Sequence, residues 1–127
     1  MKAQVAIEFM IIFGTFLIAL SFVVLAAWNN IVNIDKSSID FEANRILNLI
    51  SNRINTVYLE GHGFSIGLAV QEKIGVYNYT IEIEENNLWL TVNEISYSRR
   101  LLTPNITGNI EKGTNTLENV NGEIVVS

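Results

Sequence analysis

The sequence of 127 residues contains no cysteine, one proline and one histidine. Without cysteine the chain forms no disulfide bond and no thiolate metal site. A single histidine supplies no cluster of metal ligands, and one proline among eight glycines gives no sign of a long flexible linker. The composition therefore predicts neither a disulfide scaffold nor a metal centre.

Basic residues are also scarce. Eight Lys and Arg residues stand against thirteen Asp and Glu residues, so the net charge is -5. From residue 64 to the end, eight Glu residues accompany four basic residues, a balance of -4. An acidic surface repels phosphate backbones, so we expect no nucleic acid partner and assign the acidity to solubility.

The one long apolar run lies near the N-terminus. From Phe9 to Trp28 there are twenty residues without a charge, and a helix of that length matches a bilayer core of roughly 30 Å. The run is longer than the apolar part of a secretory signal and is followed by Asn29-Asn30, not by a small-residue cleavage site. We therefore expect a membrane span that stays in the mature protein.

A candidate cleavage signal precedes the apolar run. The stretch Gln4-Val5-Ala6-Ile7-Glu8-Phe9 resembles the Q-x-S-x-E-F class III signal of archaeal type IV pilin-like proteins. The resemblance implies that a prepilin peptidase cuts between Ala3 and Gln4, removes residues 1–3 as a leader and leaves the helix in the product. Lys2 and Ala3 occupy the basic and small positions before the cut, although Ala3 replaces the common Gly and Ala6 the common Ser.

Glu8 borders the uncharged span, where an unpaired carboxylate is costly. Cleavage before Gln4 would create an α-ammonium one helical turn upstream of Glu8, within reach of the same Glu8 or of a neighbouring copy's Glu8 in a staggered stack. We therefore assign Glu8 to assembly through pairing with the N-terminal amine. The alternative is a solvated first-turn acid, which the helix dipole favours.

Small residues in the span favour contact between helices. Thr15 and Ala19 form a small-xxx-small pair that permits close backbone approach. We assign packing in the core of a filament to five residues: Phe9, Phe13, Gly14, Thr15 and Ala19. Small residues also occur in solitary spans, so a single unpaired span remains the alternative.

The residues after the span predict the second half of a long helix. Apolar residues recur there at helical spacing, and Gly61-His62-Gly63 ends the pattern with a left-handed cap; the apolar positions are Ile39, Ala43, Ile46, Ile50, Ile54 and Val57. Asp35-Lys36-Ser37-Ser38 is the one candidate interruption. We divide the chain into a leader (1–3), a membrane and filament-core helix (4–33), an amphipathic half (34–60) and a β-rich extracellular head (64–127).

After Gly63 the apolar pattern changes to a period of two. Residues 77–84 and 88–92 alternate around a turn at Glu85-Asn86-Asn87 and predict a hairpin. Further strands are predicted at 64–70, 95–101 and 105–110, with a last hairpin around Asn121-Gly122. The predicted fold is α+β, with the amphipathic half of the long helix packed on a small antiparallel sheet, the type IV pilin architecture that the resemblance implies.

No pattern in the sequence indicates an active site, so we expect no enzyme and no cofactor. His62 has no partners at metal-ligand spacing, and Glu82 and Glu84 alternate onto a solvated strand face. Asn78 and Asn105 begin N-x-[ST] sequons and are candidate glycosylation sites, or else ordinary exposed residues. We expect three tyrosines and one tryptophan to pack in the sheet and not to bind sugars: Tyr77, Tyr79, Tyr97 and Trp89.

The sequence favours a structural role. Its resemblance predicts the pilin subunit of an archaeal type IV adhesion pilus, with copies of itself, the prepilin peptidase, a membrane assembly platform and membrane lipid as partners. We expect the filament at the cell surface and the subunit in the membrane before assembly. The alternatives are a minor pilin or pseudopilin of a secretion-type or uptake-type machine, and a membrane-tethered extracellular binding module that does not polymerise.

Overall fold

The structure is a computed structural model of the full chain. It describes the backbone of residues 1–127 and all side chains except those of residues 2, 30 and 32–34. The predicted role of Lys2 and the predicted boundary between residues 33 and 34 therefore fall outside the described side chains. Two compact units make up the chain, Met1–Ser38 and Ile39–Ser127.

One helix, α1, extends from Lys2 to Glu60 and belongs in part to each unit. The helical backbone continues through Asp35-Lys36-Ser37-Ser38, so the candidate interruption is not formed. These four side chains are exposed. Water can satisfy their polar groups there, which weakens their competition for the backbone hydrogen bonds.

The second half of α1 buries one face, as its spacing predicts. All six apolar positions of the pattern are buried, and Leu47 joins them. Asn44, Asn48 and Asn52 lie on the exposed side. Residues three and four apart share one face of a helix, so this spacing puts a continuous apolar stripe against the head.

The helix ends at the predicted glycine cap. Gly61 has φ +88° and Gly63 has φ +86°, left-handed values that residues with a Cβ rarely adopt. The Gly63 N–H then donates to the Asn119 carbonyl at 2.8 Å. The chain therefore leaves the helix directly into contact with the sheet.

Seven strands follow the helix and form two sheets. They are β1 (Ser65–Val70), β2 (Tyr79–Glu84), β3 (Asn87–Val92), β4 (Ile95–Arg100), β5 (Ile106–Thr107), β6 (Gly113–Val120) and β7 (Glu123–Val126). The first sheet has the order β1-β6-β7-β5, and the second has the order β2-β3-β4. All pairs are antiparallel except β5 with β7, which is parallel.

Two tight turns set the register of the hairpins. Asn121 and Gly122 join β6 to β7 with φ values of 55° and 90°, and Asn93 and Glu94 join β3 to β4 with 48° and 65°. Two central residues with positive φ match the twist of antiparallel strands, which is why Asn-Gly is favoured at such positions. The hairpin predicted around Asn121-Gly122 is confirmed.

The predicted α+β fold is confirmed, with refinements in the head. Two sheets replace the single sheet expected, and one strand pair is parallel. The strand predicted over 105–110 is reduced to Ile106–Thr107, because Gly108 turns the chain with φ +96°. Tyr77 lies outside β2 and makes an isolated bridge with Ile74 instead.

Candidate functional site

The apolar N-terminal segment is the most unusual surface of the described chain. The helical stretch Ala3–Asn29 is long and apolar enough to cross a membrane, and its apolar window has no residue buried within the chain. Large apolar side chains are exposed on all sides of the helix; Phe22, for example, is 69% exposed and Trp28 is 68% exposed. Surface of this kind requires lipid or other protein to cover it.

The hydroxyl groups within this segment are already satisfied. The Thr15 Oγ1 donates to the carbonyl oxygens of Ile11 (3.1 Å) and Ile12 (2.8 Å), and the Ser21 Oγ donates to the Leu17 carbonyl (2.8 Å). Each bond returns to the preceding turn of the same helix. The segment can therefore enter an apolar environment without leaving a hydroxyl donor unpaired.

The residues assigned to helix packing divide between two faces of the helix. Phe9 and Phe13 lie one turn apart and stack, with ring centroids 6.0 Å apart and planes at 10°. Glu8, Thr15 and Ala19 are related by steps of seven and four, so they share one face. Gly14 lies apart from this face, and no atom comes within 4 Å of a Cβ built on it. Glu8 thus lies on the same helix face as the small-residue pair Thr15 and Ala19.

The motif residues Ala3, Gln4 and Glu8 all lie within the helix and are exposed. Glu8 makes no ion pair with any side chain that the structure describes. Gln4 precedes Glu8 by four residues, which puts their Cβ atoms about 6 Å apart. An α-amine at position 4 would therefore be close enough to pair with the carboxylate.

Both candidate glycosylation sites are accessible. Asn78 and Asn105 are exposed, as are Thr80 and Thr107, the third residues of their sequons. The Thr107 hydroxyl donates to the Glu123 carboxylate. The Asn105 backbone N–H donates to the Thr103 Oγ1 at 3.1 Å. Steric access permits modification at both asparagines.

The only histidine has a structural contact. The exposed His62 accepts a hydrogen bond at Nδ1 from the Asn121 backbone N–H, at 3.1 Å, next to the β6–β7 turn. Among the residues described, no group of three or more His, Cys, Asp or Glu side chains could hold a metal ion. His62 thus contacts and supports this turn.

The aromatic residues of the head occupy different environments. Tyr79 is buried, Tyr97 packs at the margin of the core and donates to the Asp40 carboxylate, and Trp89 lies half-buried on the outer face of the second sheet. Burial, reinforced by the Asp40 hydrogen bond and charge, raises the pKa of Tyr97 to about 12. Tyr79 and Tyr97 therefore serve the core, whereas Trp89 lies on the solvent side of the sheet, between Glu82 and Ser98 on the neighbouring strands.

A polar cluster that the sequence did not reveal lies beside an apolar cavity of about 430 Å³. Arg45 donates to Glu42 (3.3 Å) and to the Gln71 side chain (2.7 Å), and Gln71 donates to Glu42 (3.0 Å). The Gln71 hydrogen bond is the main cause that holds the pKa of Glu42 below its usual value. Residues 42 and 45 show helical spacing, but no local signal connects them to residue 71.

Comparison with known proteins adds no relative. No family model matches the chain, and no curated protein or solved structure matches it either. The residues and their geometry are therefore the basis for assigning a function.

Proposed function

We propose that this chain is a structural subunit, a pilin, of an archaeal type IV adhesion pilus, and that it polymerises through its apolar N-terminal helix. The observation that carries the proposal is the uncovered apolar surface of Ala3–Asn29, in the same helix whose second half buries its apolar stripe against the head. The second half of the helix buries its apolar stripe within the chain. The other half needs lipid first and neighbouring subunits later.

The motif before the apolar segment supports processing. Lys2-Ala3 followed by Gln4 and Glu8-Phe9 resembles the signal of a prepilin peptidase, and Ala3 and Gln4 lie at the exposed start of α1. Cleavage there would retain the apolar helix and expose an α-amine one turn from Glu8. In a stack of helices, the amine of one subunit pairing with Glu8 would set the register between neighbours.

Lipid alone could also cover the exposed apolar helix, and this observation favours one alternative function. A membrane-tethered binding module with no polymer would keep this helix in the bilayer permanently. A minor pilin or pseudopilin would polymerise by the same surfaces but in few copies. The three functions differ in what is found outside the cell.

The test is to isolate surface filaments by shearing from cells that express the chain and to measure the intact mass of their subunit. We expect abundant filaments whose subunit begins at Gln4. A subunit that retains Met1 or Lys2 in assembled filaments would contradict the processing step. An uncleaved monomer confined to the membrane fraction would contradict the filament and support the tethered module.

A further inference from the structure

The second sheet has two open edges of opposite charge. In the order β2-β3-β4, each outer strand is paired on one side only. Exposed Glu82 and Glu84 lie on β2, and exposed Arg99 and Arg100 lie on β4. None of these four makes an ion pair with any side chain that the structure describes. Each edge therefore presents backbone hydrogen-bond groups together with unneutralised charge.

The register aligns the two charges in one row. Glu84 lies opposite Asn87, and Asn87 lies opposite Arg100. Strands are spaced by about 4.8 Å, so Glu84 and Arg100 of one copy are separated by about 10 Å with Asn87 between them. Both outer strands are antiparallel to β3, so they run in the same direction.

We propose that β4 of one copy lies beside β2 of the next copy, so that the second sheet continues from head to head along the filament. The contact rests on the proposed function, because it needs copies held side by side. If each row of residues continues from one copy to the next, Arg100 lies next to Glu84 of the following copy, and Ser98 lies next to Glu82 of that copy. The backbones at positions 84 and 100 are then about 5 Å apart between copies, compared with about 10 Å within one copy.

Charge selects this pairing over the symmetric ones. Pairing β4 with β4 sets arginine edges together, and pairing β2 with β2 sets glutamate edges together; like charges at close range oppose both. Pairing β4 with β2 joins opposite charges. Such a head-to-tail contact can repeat from copy to copy along an open filament, whereas a symmetric contact ends at a dimer.

The apolar side of the same sheet supports continuation. Ile81, Ile83 and Tyr97 belong to the outer strands and pack only partly against the core. A neighbouring strand would cover their open flanks. The open part of β2 is short, because Lys112 lies over the Tyr79 ring at 4.9 Å, beside the beginning of the strand. Contact therefore centres on 82–84 and 98–100.

The absence of cysteine from the chain makes a direct test straightforward. The double variant Glu84→Cys with Arg100→Cys would form disulfides between neighbouring copies, since adjacent strands bring Cα atoms within bonding range. The same two positions within one copy are too far apart to bridge. Filaments treated with a mild oxidant should yield a ladder of covalent dimers and higher multimers in denaturing gels without reductant.

The matched control moves one cysteine along the same strand and face. Glu84→Cys with Ser96→Cys displaces the second thiol by four residues, or about 13 Å. We expect no ladder from this variant. Filaments with no ladder from either variant would overturn the contact while leaving the proposed function intact, and equal ladders from both would overturn the register. An absence of filaments from the wild type would overturn the proposed function and this contact with it.

Charge reversal provides a second measurement if the cysteine variants assemble poorly. Glu84→Arg and Arg100→Glu should each lower filament yield, by up to about fivefold per contact for an exposed ion pair. The double reversal restores opposite charges and should restore the yield. Equal yields from wild type and both single reversals would overturn the pairing.

Discussion

Asn119 joins the end of α1 to the β6–β7 hairpin, and its replacement by alanine should destabilise the head. The side chain is 1% exposed. Its Nδ2 donates to the carbonyl oxygens of Val57 (3.0 Å) and Tyr58 (3.3 Å), and its Oδ1 accepts from the Gly122 N–H at 2.8 Å. Asn119→Ala removes all three hydrogen bonds at once.

The expected cost follows from what the substitution leaves behind. The Val57 and Tyr58 carbonyls belong to the last turn of α1, which has no further helical N–H groups to bind them. A buried polar group deprived of its partner costs about 1–3 kcal/mol. The backbone bonds of Asn119 with Gly63 and Phe64 survive, so we expect the variant to lose about 2–3 kcal/mol from the side chain alone.

Thermal unfolding of a head fragment, residues 34–127, measures this loss. For a domain of this size, about 2–3 kcal/mol corresponds to a Tm lower by roughly 10–20 °C. Asn52→Ala is the matched control, because Asn52 is exposed on the same helix and its replacement should change stability by less than about 0.5 kcal/mol. A Tm for Asn119→Ala within a few degrees of the wild type would refute the reasoning.

Three further predictions concern assembly, domain independence and pH. Glu8→Ala should abolish filaments but not membrane insertion, because an unpaired buried ammonium costs about 3–5 kcal/mol. Asp35→Ala is the control, because Asp35 is an exposed acid on the same helix. Normal filament yield from Glu8→Ala in shear fractions would refute the pairing. A fragment of residues 34–127 should be a soluble monomer in size-exclusion chromatography, because the apolar segment is gone and the head retains its core; aggregation regardless of salt would contradict this. The raised pKa of Tyr97 means that the folded head keeps this proton up to about pH 12, whereas an unfolded tyrosine releases it near pH 10. The free energy of unfolding should therefore fall as the pH rises from about 10 to about 12. In urea unfolding, Tyr97→Phe should show a smaller fall over this pH range, and a fall equal to that of the wild type would contradict the reasoning.

Local patterns predicted the elements of the fold well. The spacing of apolar residues after position 38 predicted the buried face of α1, because residues three and four apart share a helix face whatever the rest of the chain does. Alternation predicted β2 and β3, and Leu88, Leu90 and Val92 of β3 are buried as expected. Asn121-Gly122 predicted a turn because few residue pairs tolerate two positive φ values.

Arrangements between distant segments could not be predicted in this way. The division into two sheets and the parallel pairing of β5 with β7 depend on which strand edges meet in space. Asn119 shares the buried face of β6 with Leu117, and only the end of α1 beside it explains why an amide is buried there. The Gln71 contact with Arg45 and Glu42 likewise joins positions more than twenty residues apart.

For the candidate functional surface, the sequence by itself determined the apolar length from Phe9 to Trp28 and the position of Glu8 at its border, since hydropathy and helical spacing are local properties. Only the tertiary structure decided which strands share a sheet, and that Glu84 and Arg100 fall in one row at opposite edges of the second sheet. Burial and strand register are set by packing between segments that are distant in the chain, and no local pattern encodes which segments meet.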